Sequence, residues 1–205
     1  MEGSALLFIV LSLVISVGAF VFAGWLFRWV KAQPSSNRRI AEIGQLIRQG
    51  AHTFLRKEYV MLSKFAGGAA LLILIFLPGA WHANVLMAIS YLAGTVFSAV
   101  AGVIGIRVAT VANVKTAEAA TKGIKPSFLA GFRGGAVMGM AVVGSTLLGV
   151  SLLMLITNDT TMLLGFSFGA SSLALFAKAG GGIFTKTADI SADLVGKVEL
   201  GIPED

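Results

Sequence analysis

The chain has 205 residues, of which 56% are apolar and only 13% are charged, and its mean hydropathy is +0.86. Soluble domains contain about twice that share of charged residues and mix them with apolar ones. The composition therefore excludes a soluble globular protein and indicates a chain that lies mostly in lipid. The absence of cysteine excludes a disulfide framework, a thiolate metal site and a cysteine nucleophile, and the two histidines are too few for a histidine-rich metal centre.

Apolar runs long enough to cross a membrane occur five times along the chain. A transmembrane helix needs about 20 mainly apolar residues. In chain order the runs are Ala5 to Phe27, Phe65 to Trp81, Ala83 to Ile106, Gly134 to Ile156 and Met162 to Phe184. The first is not a signal peptide, because Glu2 rather than a basic residue precedes it and the basic segment 28–39 follows it. The sequence predicts an all-α fold, a polytopic transmembrane bundle with five transmembrane helices.

The formal net charge of +6 is explained by membrane orientation, so no binding to nucleic acid is expected. All 16 Lys and Arg residues lie in, or in the half-span next to, the alternate segments 28–64, 107–133 and 185–205. By the positive-inside rule these segments are cytoplasmic and the N-terminus is outside. We therefore expect a multi-pass protein of a prokaryotic cell membrane.

The first cytoplasmic segment, 28–64, contains apolar residues at helical spacing between Ile40 and Leu55, with basic residues beside that stripe. This pattern predicts an amphipathic helix on the membrane or against neighbouring helices, and it makes membrane lipids an expected partner. Attraction of a charged substrate by the basic residues is the alternative. The second segment, 107–133, predicts a short helical hairpin or loop and has no chemical signature of its own.

Glycine occurs 25 times, and within the spans it forms ladders of small residues such as Gly94, Ala101 and Gly105. Small residues let helices approach closely in lipid. Five spans offer too few neighbours for so much small-residue surface. We therefore expect the chain to be one part of a larger transmembrane bundle.

Acidic residues are concentrated at the end of the chain. Of the ten acidic residues, five occupy the last 17 positions: Asp189, Asp193, Glu199, Glu204 and Asp205. If the fifth helix continues into the cytoplasm, Lys186, Asp189, Asp193 and Lys197 lie within about 80° of one another on one face. Two carboxylates one turn apart suit Mg²⁺, and neighbouring lysines suit phosphate groups. A solvated helix end with i,i+4 ion pairs is the alternative explanation.

The stretch from Ala174 to Asp205 resembles the first substrate-binding segment of the membrane-bound, ion-translocating pyrophosphatases. Its centre is the run Gly180 to Lys197, Gly-Gly-Gly-Ile-Phe-Thr-Lys-Thr-Ala-Asp-Ile-Ser-Ala-Asp-Leu-Val-Gly-Lys. Weaker similarity at 47–59, 112–115 and 132–139 extends the resemblance over essentially the whole chain. Family members are roughly three times this long, so the resemblance implies that residues 1–205 are the N-terminal part of a single, larger transmembrane domain and are inactive alone.

The resemblance also implies an activity. The full protein would hydrolyse pyrophosphate to two phosphates at a cytoplasmic Mg²⁺ site, with K⁺ as a possible second cofactor, and would couple this to outward pumping of H⁺ or Na⁺ as a homodimer. The alternative from another class is a non-enzymatic solute carrier or channel subunit whose acidic helix end binds a cation or lipid.

Residue roles follow from the resemblance position by position. Lys186 would contact the diphosphate, and Asp193 would orient and deprotonate the attacking water. Mg²⁺ would be held by Asp189, Asp193 and Glu204. Lys178 occupies a position where the family commonly has arginine, in the network that couples the site to the ion path. Lysine keeps the positive charge of arginine but lacks its planar guanidinium group, which can form two parallel hydrogen bonds. Further possible site residues are Lys197, Glu199 and Asp205.

The predicted orientation can be tested by cysteine labelling, because the chain contains no cysteine. Single cysteines at Gly3, Ala83 and Asn158 should react with an impermeant thiol reagent added outside intact cells, whereas a cysteine at Ser36 should not. Labelling of Ser36→Cys from outside would reverse the orientation.

Overall fold

A computed structural model describes residues 3–201 and shows five long helices, with no strand in that range. The helices are α1 (Gly3–Ala32), α2 (Arg38–Phe76), α3 (Trp81–Ala120), α4 (Ile124–Thr157) and α5 (Thr161–Val198). Each is long and apolar enough to cross a membrane. The all-α prediction and the number of spans are confirmed.

Helix α2 joins two elements that the sequence suggested as separate, the amphipathic segment and the second apolar run. It is continuous for 39 residues and ends at Phe76. Leu77 is extended, with φ −68° and ψ 124°, because the ring of Pro78 disfavours a helical residue before it. The predicted run 65–81 therefore extends past the end of α2, through the turn 77–80, to the first residue of α3.

Helix α3 lies at the centre of the bundle. It packs against α2, α4 and α5, while α1 packs mainly against α4. Small residues make these contacts close: a Cβ added at Gly134 of α4 would lie 2.6 Å from the Cβ of Ala112 on α3. The hydroxyl of Ser16 on α1 donates a hydrogen bond to the backbone carbonyl of Gly144 on α4 at 2.7 Å. The glycine-rich composition thus serves helix packing, as in other membrane bundles.

The closest helix contact is the crossing of α3 and α5. A Cβ at Gly94 would overlap the carbonyl oxygen of Phe166, and a Cβ at Gly169 would overlap the carbonyl oxygen of Tyr91. Thr95 Oγ1 donates to the carbonyls of Tyr91 and Gly169 at 3.0 and 3.3 Å. Each helix therefore supplies a glycine that admits the backbone of the other.

Two turns, 33–37 between α1 and α2 and 121–123 between α3 and α4, lie at one end of the bundle, which we call the basic end. Side chains near the end of α3 connect them: Lys115 Nζ donates to the carbonyl of Gln33 at 2.6 Å. Glu118 Oε1 accepts hydrogen bonds from the backbone N–H and hydroxyl of Ser36 at 2.5 and 2.7 Å. Since successive helices alternate in direction, the C-terminal part of α5 also lies at the basic end.

The α3–α5 crossing should be intolerant of one added methyl group. Gly169→Ala forces the new Cβ onto the backbone of Tyr91, which cannot move like a side-chain tip, so we expect a loss of about 1–3 kcal/mol in stability. The matched control is Gly24→Ala, since nothing lies within 4 Å of a Cβ at Gly24 on α1. Thermal unfolding of the 205-residue chain in detergent measures both. Equal midpoints would contradict the assigned close approach.

Candidate functional site

The C-terminal half of α5 is largely exposed. Leu173 is the last buried residue of α5, and no residue between it and Gly201 is buried. The helix nevertheless continues without interruption to Val198, as the sequence pattern predicted. Its exposed end therefore presents side chains to whatever surrounds the bundle.

The predicted charged residues lie on this exposed end. Lys186, Asp189 and Asp193 are all exposed, and the continuous helix places them on one face at the expected spacing. Lys197 lies in the last turn of α5, and Glu199 is the C-cap residue, whose N–H donates to the carbonyl of Val195 at 3.0 Å. Glu204 and Asp205 lie outside the described residues.

The two aspartates are not neutralised by neighbours within the described range. The one ion pair between two residues of 3–201 joins Arg38 to Glu42 on α2, at 2.8 Å. Neither Asp189 nor Asp193 accepts a hydrogen bond from another residue of that range. Carboxylates four residues apart on a helix repel each other, and this repulsion is relieved when a cation binds between them. The ion pairs expected for a simple solvated helix end are therefore not formed by Asp189 and Asp193 within that range.

The donor set is compatible with a hard cation but incomplete. Carboxylate oxygens are the protein ligands that Mg²⁺ prefers, and Mg²⁺ takes about six ligands, several of them water or phosphate oxygens. Within residues 3–201, no group of three or more His, Cys, Asp or Glu side chains is close enough to hold a metal ion. Asp189 and Asp193 thus form at most one side of a metal site.

A second acidic group, which the sequence analysis did not single out, lies against α5 closer to the bundle. A Cβ at Gly180 would overlap the carboxylate of Glu58 on α2, so the missing side chain makes room for this group. Glu58 Oε1 is buried and has no hydrogen-bond partner in the described chain. Gly181 and Gly182, by contrast, have nothing within 4 Å. Glu58 is the one acidic residue in the otherwise basic segment 47–59, and this isolation was the sequence feature that could have pointed to it.

Aromatic pairs hold α5 against α2 on both sides of Glu58. The rings of Phe54 and Phe184 are 4.9 Å apart between centroids, and those of Phe65 and Phe176 are 4.4 Å apart. Lys178 is exposed and lies between the two aromatic residues of α5. These contacts place the predicted coupling residue in the segment of α5 that packs on α2, below the charged face.

The fold and this charged helix end define a class of protein, a polytopic helical membrane protein with an anion- and cation-compatible face at the end of its fifth helix. Residues 17–205 match the family described as inorganic H⁺ pyrophosphatase. The chain belongs to this family, and the resemblance noted in the sequence is confirmed.

Curated relatives have names that specify ion pumps. The "K(+)-insensitive pyrophosphate-energized proton pump" of Methanosarcina mazei is 42% identical over 187 residues, 91% of this chain and 27% of the relative. The "Putative K(+)-stimulated pyrophosphate-energized sodium pump" of Clostridium tetani is 44% identical over 97% of this chain and 29% of the relative. A "K(+)-stimulated pyrophosphate-energized sodium pump" of Thermotoga maritima is 40% identical over 91% and 28%. The chain therefore spans less than one third of the length of these relatives.

Proposed function

We propose that this chain is the N-terminal portion of a membrane pyrophosphatase that hydrolyses pyrophosphate to two phosphates and couples the reaction to outward pumping of H⁺ or Na⁺. The observation that supports this most directly is the exposed face of α5, with Lys186 and two aspartates that have no ion-pair partner among residues 3–201, in a member of this family. Similar identities to a proton pump and to sodium pumps leave both ions as candidates. K⁺ is a candidate second cofactor, because relatives named K(+)-stimulated are as similar to this chain as one named K(+)-insensitive.

The proposed roles follow the order of the charged residues along α5. Lys186, nearest the bundle, would bind a phosphate group of pyrophosphate by charge-assisted hydrogen bonds. Asp189 and Asp193 would hold Mg²⁺, together with Glu204, and the metal would supply charge neutralisation and a more acidic bound water. The role of Asp193 toward the attacking water is the one that the family resemblance implies.

Proton transfer is the step assigned to Asp193. Its carboxylate would orient the attacking water and accept its proton as the new P–O bond forms and the bridging P–O bond breaks, with the second phosphate as the leaving group; this is the role of a general base. Lys197, Glu199 and Asp205 are further candidates for contacts to the substrate or metal. Lys178 would connect the site with the ion path, and the adjacent unpartnered carboxylate of Glu58 adds an acidic group to the same stretch of α5.

An apolar stripe beside the charged face indicates that other helices complete the site. Ile190, Leu194 and Val198 follow one another at i,i+4 spacing and are 49%, 58% and 79% exposed. Exposed apolar stripes of this kind mark surfaces that pack against a partner. We propose that later helices of the full-length protein cover the stripe and supply the remaining metal ligands, with the site in the cytoplasm and the N-terminus outside. Assembly of the full-length protein as a homodimer is part of the same proposal.

Residues 1–205 alone should not hydrolyse pyrophosphate. Two described carboxylates cannot surround a tetra-anion with metal ions on all sides. Phosphate release from Mg²⁺ and pyrophosphate, measured in proteoliposomes with the 205-residue chain and with the full-length protein in parallel, tests this. Turnover by the short chain within about tenfold of the full-length protein would contradict the proposed incomplete site.

Asp193→Asn in the full-length protein should lower kcat by about 10²- to 10⁴-fold, because the variant keeps the size of the side chain and removes the base. Lys186→Met should instead raise KM for Mg-pyrophosphate, because it removes a cation from the site of a tetra-anion.

Each variant has a matched control. Asp159→Asn, in the turn at the opposite end of the bundle, is the control for Asp193→Asn, and Lys57→Met, on the exposed side of α2, is the control for Lys186→Met. Near-normal turnover of Asp193→Asn would remove the role assigned to that residue.

A further inference from the structure

A separate cavity opens at the basic end, between the ends of α1, α3 and α4. Its volume is about 310 Å³. Its lining includes Trp29, Lys115, Glu118, Lys122, Lys125 and Leu129. None of them is on α5 or in contact with the charged face, so this cavity is independent of the proposed pyrophosphate site.

The cavity carries a net positive charge. Three lysines line it against one carboxylate, that of Glu118. Glu118 Oε1 accepts both hydrogen bonds of Ser36, whereas its buried Oε2 has no hydrogen-bond partner among residues 3–201. Lys115 is also held in place, by the carbonyl of Gln33. Lys122 and Lys125 are exposed and form no ion pair with any residue of 3–201. Two positive charges are therefore available to an anion that enters from outside.

The start of α4 adds to this potential. Gly123 is the N-cap residue, with φ 117°, and no side chain caps the helix. An uncapped helix N-terminus leaves backbone N–H groups unsatisfied and places the positive end of the helix dipole beside them. The N-terminus of α4 lies between Lys122 and Lys125 in the sequence. The positive end of the helix dipole and the two lysine ammonium groups therefore raise the electrostatic potential at the same point.

With the first span ending at Phe27, as the sequence predicts, the cavity lies at the depth of the bilayer headgroup layer. Trp29 and Gln33 lie two and six residues beyond Phe27, the end of the first predicted span, which is about 3 and 9 Å along the helix axis. The polar layer on each side of the hydrocarbon core is about 5 to 8 Å thick. Arg133 stacks over the ring of Trp29 at 3.9 Å from the centroid, an arrangement that suits this interface.

Apolar surface continues from the cavity toward the membrane. Leu129 lines the cavity, and Phe128 and Phe132, one turn apart on the neighbouring face of α4, stack on each other with centroids 5.7 Å apart while remaining largely exposed. A soluble phosphate ion has no apolar part that could contact this surface. A molecule with an anionic head and an apolar tail would contact both parts.

We propose that this cavity binds one phospholipid with a net negative charge, such as phosphatidylglycerol. The phosphate lies between Lys122 and Lys125 at the N-terminus of α4, and an acyl chain runs along Phe128 and Phe132. The bound lipid would bridge the turn 121–123 and the end of α1.

The test uses the full-length protein, purified and delipidated in detergent, and native mass spectrometry with phosphatidylglycerol or phosphatidylcholine of the same chain length. Lys122→Gln/Lys125→Gln should weaken retention of phosphatidylglycerol on the order of tenfold to thirtyfold, as expected for two lost charges near an anionic lipid. The control, Lys57→Gln/Lys64→Gln, removes the same charge from exposed positions of α2 and should retain phosphatidylglycerol like the parent. Phosphatidylcholine should bind weakly to all three proteins.

Three results would overturn the proposal. Equal loss in both double variants would show diffuse attraction to the basic end, and no loss in either would show that the cavity does not hold the lipid. Displacement of phosphatidylglycerol by millimolar inorganic phosphate in the parent would show a site for soluble anions. Because pyrophosphate hydrolysis is not the readout, failure of this proposal leaves the proposed enzymatic function untouched.

Discussion

The arrangement of the chain depends on backbone contact between α3 and α5. In lipid, helices gain little from burying apolar side chains, so they associate where small residues allow close packing and where polar groups can pair. Gly94 and Gly169 provide that closeness, and Thr95 adds hydrogen bonds to the carbonyls of Tyr91 and Gly169. The crossing holds the first half of α5 at the central helix. Its second half is thereby directed out of the bundle at the basic end, where the charged face lies.

The two halves of α5 illustrate how one helix combines anchoring with a site. Up to Leu173 the helix contributes buried small and apolar residues, including Gly165 and Gly169, and beyond that point it contributes exposed charge. Burying an unpaired carboxylate costs free energy, whereas two exposed carboxylates can serve as ligands of one multivalent cation. Leaving Asp189 and Asp193 without partners within the described chain is thus compatible with a face completed by a metal-bound anion and by additional helices.

Sequence reasoning succeeded where the evidence is periodic and local. The five helices follow from apolar run length, and the shared face of Lys186, Asp189 and Asp193 follows from helical spacing once α5 is continuous. Sequence reasoning did not predict contacts between residues that are far apart in the chain. The meeting of Glu58 with Gly180 depends on how α2 packs on α5. Likewise, the segment 107–133 seemed chemically featureless, because the cavity around its lysines is closed by residues of α1 that are far away in sequence.

The continuity of α2 has a mechanical consequence. A helix of 39 residues with no proline is a stiff rod about 58 Å long, reaching from one end of the bundle to the other. Two aromatic pairs, Phe54 with Phe184 and Phe65 with Phe176, pack α5 against α2 at two positions along the helix axis. Sliding α5 along its own axis therefore requires either moving α2 with it or separating both ring pairs.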